Sequence, residues 1–100
     1  MSNFIKDIEE AINGERVDGV SIGEGPFRMG QTPTGRIPWE EFARVCDYDY
    51  DAGFGGEDCH PILVWTVNRV LFVACYDGAT WVQSVPRHPC DDVPEFVGGG

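Results

Sequence analysis

Between residues 62 and 85 the chain is apolar almost without a break, in three segments: ILVWTV, VLFVACY and TWVQSV. Their β-branched and aromatic content predicts strands. Asp77-Gly78 between the last two predicts a two-residue hairpin turn, and Asn68-Arg69 between the first two a second one. With both loops two residues long, Val67 faces Val70, Trp65 faces Phe72, Leu63 faces Ala74, Tyr76 faces Ala79 and Ala74 faces Trp81. One side of the meander then carries Leu63, Trp65, Phe72, Ala74, Tyr76 and Trp81. Ile62, Val64, Leu71, Val73, Cys75 and Val82 lie on the other. Both sides are apolar, whereas an antiparallel sheet with one wet side alternates. A helix on each side would cover them, and core packing is the plainer reading of both. Two helices on one side would leave the other for a partner or a second copy, because monomers seldom expose so large an apolar patch.

Upstream the period changes from two to that of a helix. In NFIKDIEEAING, Phe4, Ile5, Ile8, Ala11 and Ile12 fall on one helical face, with Ser2 or Asn3 as cap and Gly14 as stop. IPWEEFARVC predicts a second helix, with Pro38 in its first turn, Glu40 and Glu41 at its positive end, and Trp39, Phe42, Val45 and Cys46 on a shared face. The glycine- and proline-rich stretch between them leaves room only for short strands, at 17–22 and around 27–29. The expected fold is therefore α+β: two short helices and a C-terminal three-stranded antiparallel meander, extended by one or two short N-terminal strands. Residues 1–86 form one domain on this reading. Residues 87–100 form an extended, partly disordered tail from which Val93 and Phe96 can pin back.

Charge narrows the function classes. Seventeen acids against seven bases give a net charge of −10 over 100 residues. Such a surface repels DNA, RNA and anionic membranes, so direct nucleic-acid binding is not expected, and a basic protein is the favoured partner. No apolar run approaches a membrane span. MSNFIKDIEE lacks the basic and apolar regions of a secretory signal, which points to the cytoplasm and to reduced cysteines. The acids are also uneven: Glu40, Glu41, Asp47, Asp49, Asp51, Glu57 and Asp58 face only Arg44 between residues 40 and 58.

That cluster contains DYDYDAGFGGED (47–58), where several chemistries can be weighed. As a calcium loop, Asp47, Asp49 and Asp51 occupy the first, third and fifth positions and Asp58 the twelfth. Against this, Ala52 stands where glycine is needed, Asp58 has a shorter arm than glutamate, and Pro61 leaves no room for an exiting helix. A phosphate cradle would need a helix N-terminus and a lysine, and the sole lysine is Lys6. Zinc could draw on Cys59 or His60 with His88 and Cys90, but there is no C-x₂-C pair, while Cys46 and Cys75 have the pattern of core positions. A Cys59–Cys90 disulfide is no better supported. Cys59 with His88 lacks an orienting group for nucleophilic catalysis, so no enzyme and no cofactor are expected.

The stretch PTGRIPWEEFARVCDYDYDAGFGGEDCHPILVW, with YDGATW beyond it, resembles a group of small uncharacterised proteins encoded by tailed phages of actinobacteria. The shared pieces are the PWEEF helix (38–42), the DYDAGFGG turn (49–56), an apolar strand (62–67), a second strand and YDG-x-x-W (76–81). The likeness covers roughly residues 32–86. The wholly apolar VLFVAC and the Cys59-His60 pair depart from the group's usual pattern. The resemblance implies a small accessory phage protein that acts in the host cytoplasm by binding a host or viral protein. Two surfaces are candidates for that contact: Trp65, Phe72 and Trp81, or the edge formed by the second helix and the acidic turn. A homodimer through an apolar sheet face is a further expectation. The alternative is a nucleic-acid mimic, whose acids from Glu40 to Asp58 would imitate a phosphate row and inhibit a DNA- or RNA-binding or defence enzyme. A weak calcium or zinc site is the third reading.

Overall fold

The computed structural model describes residues 2–53 and 58–94. In chain order these form β1 (Ser2–Asn3), α1 (Phe4–Ile12), β2 (Val17–Ile22), a 3-10 turn (Phe27–Met29), β3 (Gly35–Arg36), α2 (Trp39–Val45), β4 (Asp49–Tyr50), β5 (Ile62–Thr66), β6 (Arg69–Tyr76) and β7 (Ala79–Pro86). The fold is α+β, with more strands than the sequence pattern predicts. The C-terminal meander is three strands of a five-stranded antiparallel sheet in the order β3-β2-β5-β6-β7, and β1 pairs separately with β4. The strand expected around 27–29 is instead the 3-10 turn: Pro26 fixes its entry, the Met29 amide donates to the Pro26 carbonyl, and Gly30 leaves it at φ 67°. The second N-terminal strand is β3, paired with the end of β2.

Helix α1 begins where Asn3 accepts a bond from the Lys6 amide at 3.1 Å, and it ends in left-handed Asn13 at φ 53°. Two of its first amides, which no helix can satisfy internally, donate to the chain that follows α2: Phe4 to Tyr48 O and Ile5 to Cys46 O. Phe4, Ile5, Ile8 and Ile12 are buried. Helix α2 starts after Pro38, which takes the capping position rather than the first turn, and buries Phe42 with Trp39 stacked on it at 5.5 Å.

All the buried sheet residues of the main core, Val20, Ile22, Ile62, Val64 and Leu71, belong to one side of the sheet, where they meet the buried faces of α1 and α2. Both helices therefore lie on that side. The second hairpin has the expected register, with Ala74 opposite Trp81 and Asp77 and Gly78 both at positive φ, as the tight turn requires. The first differs. Trp65 faces Val70, Leu63 faces Phe72, and the loop is Val67-Asn68 rather than Asn68-Arg69. Thr66 causes the difference: its buried hydroxyl donates to Glu15 Oε1 at 2.7 Å and accepts from the Arg69 amide at 3.0 Å, which fixes Thr66 against Arg69. The partner shifts by two residues, so every side chain keeps the face the sequence assigns it.

Two further expectations need correction. Cys75, expected in the core, is exposed, because α1 and α2 cover the sheet nearer Leu71 and leave this end of β6 bare. Val93 is 83% exposed and does not pin the tail back. The tail is held instead by Arg87, which bonds Asp18, the Thr66 carbonyl and the Asn68 carbonyl, and by Asp92, 3.5 Å from the Arg69 guanidinium. Phe96 lies outside the described residues.

Candidate functional site

The alternation in DYDYD sorts its side chains. Tyr48 and Tyr50 turn inward onto Phe4, with ring centroids 5.4 and 5.2 Å away, and Tyr50 donates to Asp7 at 2.7 Å. Asp47 and Asp49 turn outward and are exposed, as is Glu40, while Glu41 and Asp51 are partly covered. Several of these acids serve the turn itself. Asp47 accepts from Asn3 and Asp51 from the Gly53 amide. Asp58 accepts from Arg28 at 2.8 Å and from the Asp51 amide at 3.0 Å, and Arg28 holds its carboxyl below the usual carboxylate range. The same guanidinium reaches the Asp49 and Asp58 carbonyls and lies over the Tyr48 ring at 5.8 Å. The row of acids is thus built around a cation that the sequence places far upstream. Glu57 lies outside the described residues, and among those described no three His, Cys, Asp or Glu side chains converge as a metal set.

His60, which a sequence reading sets aside for zinc, is fully buried inside this turn. Its backbone amide donates to the Tyr48 hydroxyl at 2.9 Å, and that hydroxyl lies 2.8 Å from Nδ1. The tautomer with its hydrogen on Nε2 satisfies both contacts: the Tyr48 hydroxyl donates to Nδ1, and Nε2 donates to Thr32 Oγ1 at 2.9 Å. Gly25 is required beside it, because a Cβ there would collide with the imidazole. Neutral histidine satisfies every bond in this pocket. Cys46 is likewise buried and unreactive, its thiol pushed up to about 12 by desolvation.

Burial lowers the pKa of His60, so the unfolded chain binds its proton first as pH falls. Stability contributed by neutral His60 is complete above about pH 6.5 and is lost as pH drops from there toward the depressed folded value. Urea midpoints measured from pH 7.5 to 5 are expected to fall for the natural chain. Those of His60→Gln are expected to be lower throughout and nearly flat.

The other candidate residues lie on the opposite side of the sheet. Register and alternation place Gly19, Ser21, Leu63, Trp65, Val70, Phe72, Ala74, Tyr76, Trp81, Gln83 and Val85 on one face. No described helix covers it, and Leu63, Tyr76 and Val85 are 41%, 50% and 40% exposed. Trp65, Phe72 and Trp81 are half-buried; Arg36 lies over Trp65, and Trp81, Gln83 and Val85 line a recess together with Cys90, Asp92 and Val93 of the tail. The structure thus separates the two sets of predicted residues: the aromatic face on one side, and α2 with the acidic turn on the helix-bearing side.

The aromatic face carries no carboxylate on any of its strand positions. Asp18 and Arg87 line the recess beside Trp65, and the guanidinium of Arg36 crosses Gly19 to lie over the Trp65 ring at 5.3 Å while Nε donates to the Val20 carbonyl. A side chain at Gly19 would displace it. Asp18, at the bulge on the rim, is neutralised by both Arg16 and Arg87, which lower its pKa. Sequence reading missed this Arg36–Gly19–Trp65 arrangement, since nothing in residues 17–36 reveals that the short β3 will pair with β2.

Comparison with protein-family models, curated proteins and solved structures finds no match. No described helix is long and apolar enough to cross a membrane.

Proposed function

We propose that this chain is a non-enzymatic protein-binding module of a tailed actinobacterial phage, working in the host cytoplasm, and that a host or viral protein docks on its open sheet face. The observation that carries the reading is the placement of both helices on one side of a sheet whose two sides are apolar. Trp65, Phe72 and Trp81 are the anchors, because large aromatic side chains lose little entropy and bury much area on contact. The likeness to phage accessory proteins supports the biological setting.

The acidic side supports the competing mimic less well, since Asp51 and Asp58 are spent on the Gly53 and Asp51 amides and on Arg28. Affinity capture from host and phage-infected lysates separates the two. A protein held by the aromatic face stays bound between about 0.01 M and about 0.15 M salt, over which the Debye length shrinks from about 30 Å to about 8 Å. It also stays bound to a chain carrying Glu40→Lys, Asp47→Lys and Asp49→Lys, and is lost from Phe72→Asp. The opposite pattern, loss with salt and with the lysines but not with Phe72→Asp, assigns the contact to the acidic side.

A further inference from the structure

We infer that the protein docked on the open sheet face places an aspartate or glutamate side chain against Arg36, in the recess that Asp18, Gly19, Trp65 and Arg87 form around it; this rests on the reading of that face as a protein-contact surface.

Arg36 is a cation fixed in place without an anion. Its Nε donates to the Val20 carbonyl at 3.1 Å, and its guanidinium lies over Trp65 in space left by the missing Cβ of Gly19. Arg16, Arg28, Arg69 and Arg87 each reach a carboxylate at 3.5 Å or less. Arg36 reaches none among the described residues, although acids outnumber bases seventeen to seven in the chain. Lys6 and Arg44 also reach none there, but they belong to α1 and α2. Asp18, the acid of the recess, gives one oxygen to Arg16 and the other to Arg87. Arg36 is exposed, and no described group accepts from its terminal amino groups.

A partner that covers Trp65 also covers this guanidinium. Its N–H groups then lose water, and a cation buried without an acceptor costs affinity. The partner must therefore supply an acceptor at this point, and a carboxylate offers two oxygens to the planar fork. Arg36 is already held, so little freedom is lost when that bond forms.

Charge and size select an acidic side chain. Arg36 and Arg87 against Asp18 leave the recess one positive charge, which matches a single carboxylate. A nucleic-acid backbone would bring a row of phosphates toward a chain of net charge −10, and the rest of this face offers them apolar side chains. The recess holds about 210 Å³, below the about 300–1,000 Å³ of small-molecule sites, so it suits a side chain rather than a separate ligand. Net charge favours a basic partner for the acidic side of the molecule; at this one point of the open face the preference is reversed. A single pair sealed beneath the partner is screened little, so binding still withstands salt.

A ribosome-displayed library of random peptides, selected on the natural chain and counter-selected on Phe72→Ala, tests this. The expected peptides combine apolar residues with an aspartate or glutamate. Changing that acid to its amide is expected to weaken binding about tenfold or more, and Arg36→Gln, with an unchanged far-UV spectrum, to do the same. Made together, the two changes should cost little more than either alone, since both remove one pair. Phe72-dependent peptides that lack an acid, or that bind Arg36→Gln as well as the natural chain, overturn the proposal and leave the face a contact surface. Additive losses also overturn it, because they give Arg36 a purely structural role. If no peptide depends on Phe72, the reading of the face falls and the proposal with it.

Discussion

Leu71→Asp is expected to leave the chain unfolded, while Phe72→Asp, one residue along the same strand, is expected to fold normally and lose association. Leu71 is fully buried among the apolar residues below α1. A carboxylate there would be taken out of water among apolar side chains, and burying an unpaired charge costs several kcal/mol even after the protein relaxes. That is comparable with the whole stability of a small domain, about 5–15 kcal/mol. Phe72 points the other way, into a face that no described helix covers. Its replacement removes a half-buried ring and costs about 1–2 kcal/mol, less than a core substitution, since the position is partly open to solvent. Circular dichroism and urea titration of the two variants check the contrast. Equal damage from both would mean that the second face is also a packed interior.

Phe4→Ala is expected to destabilise the chain by about 3–5 kcal/mol, the usual loss when a buried phenylalanine is truncated. Phe4 joins parts of the molecule that are remote in sequence. Its ring meets Tyr48 and Tyr50, and its amide donates to the Tyr48 carbonyl. The cavity would open beneath the acidic turn, so that turn should lose order before the sheet does. Native-state hydrogen exchange is the suitable readout. Amides bonded around 46–51, such as those of Phe4, Ile5 and Asp51, are expected to exchange faster at once, and those of β5 and β6 only on global unfolding. Uniform acceleration would show that turn and sheet open as one unit.

The elements legible in the sequence are those whose signal is local. The period of Phe4, Ile5, Ile8 and Ile12 yields α1, and Asp77-Gly78 yields its hairpin to the residue. The faces of the meander also emerge correctly, because alternation survives a shift of two in pairing. The error in the first hairpin comes from Thr66, whose partner Glu15 is 51 residues away in the chain. No turn rule contains such a bond. His60 and Arg28 were obscured for the same reason. Buried histidine is acceptable here only because Tyr48, Thr32 and the bare Gly25 converge on it. Arg28 sits in a glycine-rich stretch that reveals nothing of its pairing with Asp58. As for the candidate site, its residue types were plain in the sequence. Whether the helices would cover one side of the sheet or both depended on how chain 46–48 caps α1, a tertiary contact.

Which side of the molecule meets another protein is the central question, and hydroxyl-radical footprinting of the tryptophans addresses it most directly. The natural chain saturated with a captured protein is compared with Phe72→Asp under the same conditions. Trp65 and Trp81 on the sheet face and Trp39 on the helix side serve as internal reporters. Protection of Trp65 and Trp81, with Trp39 unchanged, is the predicted result. Protection of Trp39 alone, with the sheet face equally reactive in both samples, would contradict the account.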